Sequence, residues 1–225
     1  MTADTVAHAE MEVLRYQCSG HLRKETEMAM ATASPSQVIT LHWPLSTDQF
    51  ARLCALNPEM RFESTSTGDL LIMPPTGGDT GHTNANLTTD FTLWSRQDGS
   101  GLAFDSSTLF VLPNGARRSP DVSWIRRERW ETLRPEDRRG FVPLCPDFVL
   151  ELRAPSDFLP VLQDKMQEYI DNGAGLGWLI DPTEHAVYVY RPGESVERLE
   201  APAEVSGEPV LPKFVLQLGS IWSAQ

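Results

Sequence analysis

The sequence predicts an α/β fold in which a mixed central β-sheet is flanked by helices, and three observations carry that prediction. Residues 146–181 run PDFVLELR, then PSDFLPVLQDKMQEYIDNG, then LGWLID, a strand-helix-strand crossover. LGWLID and HAVYVYRP, separated by DPTE, form a hairpin. Strands outnumber helices along the whole chain, and only one such crossover is present, so the pattern is not that of a regular doubly wound sheet.

The elements follow in order. VITLHWP is a strand, and in STDQFARLCALNP Ser46 is placed to cap a helix that turns Phe50, Leu53 and Leu56 to one face before Pro58. MRFES and DLLIMPP are two strands joined by STSTGD. GGDTGHTNANLTTDFTLWSRQ is glycine-rich and then helical, with Leu87, Phe91 and Trp94 on one side; it lacks the G-K-[ST] ending of a phosphate-binding loop. GLAFDSS and TLFVLPNG are short strands, SPDVSWI sets Val122 and Trp124 against Asp121 and Ser123, and RRERWETLRPEDRRG is a charged helix and turn. In the helix of the crossover, Leu162, Met166 and Tyr169 face the core and Gly173 ends it. KFVLQL is the last strand. Residues 1–37 are polar, without a period, and read as a flexible leader or an over-extended translation start; residues 38–225 read as a single domain.

Composition removes several function classes. No apolar run approaches the roughly 18 residues of a membrane span. No secretory signal opens the chain, so a cytoplasmic location is expected. Cys18, Cys54 and Cys145 are too scattered for a disulfide framework or a zinc site and are expected as free thiols. The formal net charge of -12 argues against loose, charge-driven binding to nucleic acid, so any such role must rest on a local patch. Eight arginines between positions 117 and 139 (Arg117, Arg118, Arg126, Arg127, Arg129, Arg134, Arg138, Arg139) offer one, but acidic residues are interleaved, and a solvated charged helix accounts for them equally well.

Chemistry concentrates on two strands. In FVLELR, Val149, Glu151 and Arg153 share a face, and a carboxylate in so apolar a strand needs a cation or a metal as partner. Two arrangements meet that need. Glu151 and Arg153 pair at a sheet edge and do nothing chemical, or Glu151 joins Asp121, on its own apolar strand thirty positions earlier, to hold a hard divalent cation. His82 is a further candidate to touch a phosphate or a metal-bound water, against a plain cap or solvent role; His8, His21, His42 and His185 form no ligand spacing. A carboxylate-pair glycoside hydrolase would draw on Trp124, Trp130 and Trp178 as sugar platforms, but core packing explains those rings better.

The runs RFESTSTGDLLIMPPTGG, RRSPDVSW, PDFVLELRAPSD, DKMQEY with GWLIDP, and YVYRPGE occur in this order over residues 38–222. On these runs the chain resembles the Uma-type (Uma two) family of restriction endonucleases, a branch of the PD-(D/E)XK nuclease superfamily. The resemblance implies a restriction-endonuclease-like core with additional N-terminal strands, and Mg²⁺ or Mn²⁺ held by Asp121 and Glu151, with the carbonyl of Leu152 completing the cage and Glu63 beside the metal, either as an additional ligand or bonded to the groups around the ligands. It implies a Mg²⁺-dependent endonuclease acting on DNA, and cutting both strands of a duplex would suit a homodimer. The superfamily keeps a lysine two residues after the glutamate, where this chain has Arg153, which stays protonated and is suited to steadying phosphate charge rather than to taking a proton. Lys165, in the following helix, resembles a relocated version of that lysine. The alternative is a catalytically degenerate module that keeps the nuclease scaffold and binds nucleic acid or protein without turnover.

Overall fold

A computed structural model describes residues 38–223; the expected leader, residues 1–37, and Cys18 within it lie outside the described residues. The elements are β1 (Ile39–His42), α1 (Thr47–Leu56), β2 (Arg61–Ser64), β3 (Asp69–Met73), α2 (Gly78–Asp98), β4 (Gly101–Asp105), β5 (Phe110–Val111), β6 (Arg117–Arg118), β7 (Val122–Arg126), α3 (Arg127–Thr132), α4 (Pro135–Arg139), β8 (Phe148–Leu152), α5 (Leu159–Asp171), β9 (Leu176–Asp181), β10 (Ala186–Tyr190), β11 (Glu197–Glu200), β12 (Glu204–Ser206), β13 (Val215–Gln217) and α6 (Gly219–Trp222). The predicted α/β class holds: a six-stranded mixed sheet, ordered β11-β10-β9-β8-β7-β4, stands at the centre. Only β8 and β9 run parallel, as the crossover through α5 requires.

Both faces of this sheet are covered, which is why β8 and β9 are buried along their whole length and read as apolar runs. On one face Leu87 and Phe91 of α2 pack with Phe148, Leu150, Trp178 and the segment from Val205 to Ile221. On the other, Met166, Tyr169 and Ile170 of α5 pack with Val149, Leu179 and Tyr188. The alternation expected around Asp121 and Ser123 therefore buries Ser123 as completely as Val122. Trp124 and Trp178 lie inside the core, so neither ring is available to stack on a sugar.

The N-terminal strands form a second sheet of their own, ordered β1-β3-β2-β6-β5. Ser46 caps α1, as the sequence predicts, and Gln49 bonds back to the Ser46 N–H; Phe50 is buried, but Leu56 is exposed because the helix ends there and its last turn overhangs the small core beneath. The chain passes from the second sheet at β6 to the central sheet at β7 through Ser119, Pro120 and Asp121. Asp121 thus stands at the junction of the two sheets.

Gly177 sets how closely α5 lies on the central sheet: a Cβ there would come 2.6 Å from the Met166 methyl. Met166 neighbours Lys165 in α5, so the fit at Gly177 also seats that lysine. Gly177→Val is expected to destabilise the protein by about 1–3 kcal/mol through overpacking, read from the urea midpoint at unchanged slope. Among the described residues no helix is long and apolar enough to cross a membrane.

Candidate active site

Register brings the two carboxylates together. β7 and β8 pair antiparallel with Val122 opposite Leu150, so the next step outward sets Asp121 opposite Glu151. Asp121 Oδ2 accepts the Leu152 N–H at 2.8 Å, and Oδ1 accepts the Asn84 side-chain N–H from α2 at 3.2 Å. Glu151 is 5 % exposed. Its Oε1 accepts both Lys165 Nζ at 2.8 Å and the Tyr169 hydroxyl at 3.0 Å, so neither donor uses Oε2.

Lys165, expected on the core-facing helix, is buried and joins Glu151 to Glu63, whose Oε1 lies 2.9 Å from the ammonium. Glu63 in turn accepts the Ser119 N–H at 3.0 Å and Arg118 Nη1 at 3.2 Å, while Arg118 Nε donates to Glu168 at 2.6 Å. The single pairing of Ser64 with Arg117 between β2 and β6 is what places Glu63 beside Arg118. Glu63 lies beside the two carboxylates, its Oε1 accepting from Lys165 and the Ser119 N–H and its Oε2 paired with Arg118. Among the described residues no group of three or more His, Cys, Asp or Glu side chains converges as a metal cage.

Charge balance governs protonation here. Burial pushes Glu151 up to about 7; Lys165 opposes the rise, and Asp121 and Glu63 add to it. Burial also raises Asp121, against the Leu152 N–H, Lys165 and Arg61. Burial works against the charges of Glu63 and Lys165 as well, but their ion pairs prevail: Lys165 and Arg118 leave Glu63 lowered, and Glu151 and Glu63 leave Lys165 raised. Lys165 is therefore an ammonium at neutral pH.

Glu63 and Glu151 share Lys165, Glu63 and Glu168 share Arg118, and Asp121 feels the charges of Lys165 and Arg61, so four carboxylates stand against three cations. A divalent cation would add positive charge to this acidic corner. The donors are hard oxygens, and Asn84 Oδ1 is buried with no hydrogen-bond partner, so this corner holds an acceptor that a hydrated cation would satisfy. One or two carboxylates with water and phosphate oxygens are what Mg²⁺ takes, and the residues fit it on that count.

The raised Glu151 pKa predicts a pH dependence. The folded protein holds this proton more tightly than the unfolded chain, so the stabilisation is fully present below about 4.5 and is lost as pH rises through about 7. In chelator, unfolding free energy should fall by up to about 3 kcal/mol across that window in thermal or urea melts. Glu151→Gln should flatten the profile.

Arg153 does not face Glu151's partners. Its guanidinium donates to Asp181, a fully buried carboxylate, at 2.7 Å, because the parallel register sets it beside the end of β9. The arginine-rich stretch is also largely committed: Arg118 to Glu63 and Glu168, Arg126 and Arg129 to Asp147, Arg134 to Asp137, and Arg138 to the carbonyls of Leu133 and Glu131. His82 is exposed and contacts Asn86 one helical turn on. Tyr169 and Asn84 enter the site unannounced; the apolar side of its helix accounted for Tyr169, and nothing in the sequence marked Asn84.

Fold and site together define a class: a sheet-centred α/β protein with two facing carboxylates and a helix lysine where two central antiparallel strands meet. Residues 47–219 match the Uma2 family, described as "Putative restriction endonuclease", and the chain belongs to that family. Among solved structures the fold matches "a putative nuclease belonging to DUF820" from Anabaena variabilis ATCC 29413, at 21% identity and a TM-score of 0.65, over 80% of this chain and 99% of that one. No curated protein matches the chain.

Proposed function

We propose that the protein is a Mg²⁺-dependent endonuclease that hydrolyses DNA phosphodiester bonds at the Asp121–Glu151–Lys165 cluster. The observation that carries it is the 2.8 Å contact between Lys165 and Glu151. Through it a lysine on the following helix reaches the strand carboxylate, while Arg153 lies with Asp181. Family membership supports the same reaction class.

Asp121, Glu151 and the Leu152 carbonyl would hold the cation, Mg²⁺ or Mn²⁺. When bound, it supplies positive charge to the scissile phosphate and lowers the pKa of water. Lys165 spends two of its three N–H groups on Glu63 and Glu151 and keeps one for the attacking water or a phosphate oxygen. As an ammonium it positions and stabilises and does not accept a proton. Tyr169 fixes the Glu151 oxygen that Lys165 also uses, leaving the other for the cation. Glu63 holds Lys165 in place, and Arg118 holds Glu63.

Supercoiled plasmid incubated with the purified protein and Mg²⁺ or Mn²⁺ should be nicked, and Asp121→Ala and Glu151→Ala should not nick it. Nicking that is absent, or equal in all three proteins, would sink the proposal.

A further inference from the structure

We propose that Arg61 is the side chain that holds a phosphate of the nucleic-acid substrate beside Asp121. This rests on the nuclease function proposed above and adds a cation other than Arg153, which is paired with Asp181.

Three placements lead to Arg61. It lies two residues before Glu63 on β2, so both side chains leave the same face of that strand, and Glu63 contacts Lys165 directly. Its Nη2 donates to the carbonyl of Ser106 at 2.8 Å. β4 pairs with β7 as far as Asp105 opposite Val122, so Ser106 follows the end of that ladder where Asp121 precedes it, and the Arg61 charge acts on Asp121. The guanidinium is thus tethered next to the first of the two proposed metal-binding carboxylates.

Its state is that of an unspent charge. Among the described residues Arg61 has no carboxylate within ion-pair distance, whereas Arg118, Arg126, Arg129, Arg134 and Arg153 each have one. It is exposed, with one bond to a backbone carbonyl that fixes its position while leaving other N–H groups open. The charge already acts on Asp121, opposing the burial that raises that carboxyl. A tethered, exposed guanidinium beside paired carboxylates suits two phosphate oxygens, which it can hold bidentately.

The test compares wild type with Arg61→Ala, Arg61→Lys and, as control, Arg96→Ala, an exposed arginine at the far end of α2. Binding of a duplex oligonucleotide is followed by fluorescence anisotropy with Ca²⁺ in place of Mg²⁺ over a range of salt, and nicking is followed in Mg²⁺. Arg61→Ala should weaken binding about tenfold and flatten the dependence of log affinity on log salt by about one unit, at an unchanged melting temperature. Arg61→Lys should keep the salt slope and lose part of the affinity. If wild type nicks and Arg61→Ala matches Arg96→Ala in affinity and slope, the role of Arg61 is overturned while the nuclease function stands. If wild type neither binds nor nicks, both fall.

Discussion

Glu151→Gln is expected to lower the rate of plasmid nicking at least about a thousandfold. The amide keeps its carbonyl for Tyr169 and Lys165, both of which use one oxygen, Oε1, so the local hydrogen bonds survive. What disappears is the negative charge that would face the cation. Because the substitution also removes a carboxylate whose ionisation burial opposes, the chelated variant should be more stable than wild type at pH 8, not less. Loss of nicking together with a gain in melting temperature separates a functional carboxylate from a structural one.

Lys165→Met should have the opposite signature in stability. The residue is 8 % exposed and is the shared counter-ion of Glu63 and Glu151, so its replacement leaves two buried carboxylates short of a partner. Breaking such a pair costs about 3–5 kcal/mol, which urea denaturation at pH 7.5 would read directly. A lysine on a solvated helix face would change stability by less than about 0.5 kcal/mol. Adding Glu63→Gln to Lys165→Met should recover a large part of the lost stability and none of the nicking, since the ammonium that faces the substrate is still missing.

The parts of the fold with strong periodicity were readable from the chain. The α5 crossover, the β9–β10 hairpin and the capped α1 each carry several residues of consistent pattern. β6 has two residues, Arg117 and Arg118, and two residues display no alternation, so the division into two sheets at Asp121 was not readable. The carboxylates stood out because each interrupts an apolar strand, where an ionised group must find a partner. Which partner each finds depends on contacts between distant positions: Lys165 meets Glu63 across 102 residues and Arg118 meets it across 55.

Arg153 shows the same limit from the other side. It shares a strand face with Glu151 by simple alternation, and the sequence left open whether the two pair. The deciding residue is Asp181, brought alongside by parallel pairing of β8 with β9. Arg61 lies in a short strand whose chemistry is apparent only once β2, the end of β4 and Asp121 are seen together.

The central claim is that Asp121 and Glu151 together hold a divalent cation. Titration of Mn²⁺ into the chelator-treated protein, followed by loss of the free-ion electron paramagnetic resonance signal, addresses it without depending on a substrate. Wild type should bind Mn²⁺ more tightly as pH rises through about 7, because the cation displaces the proton on Glu151, and Mg²⁺ should compete. Asp121→Asn and Glu151→Gln should each abolish that binding while melting cooperatively; binding that persists unchanged in either variant would contradict the assignment.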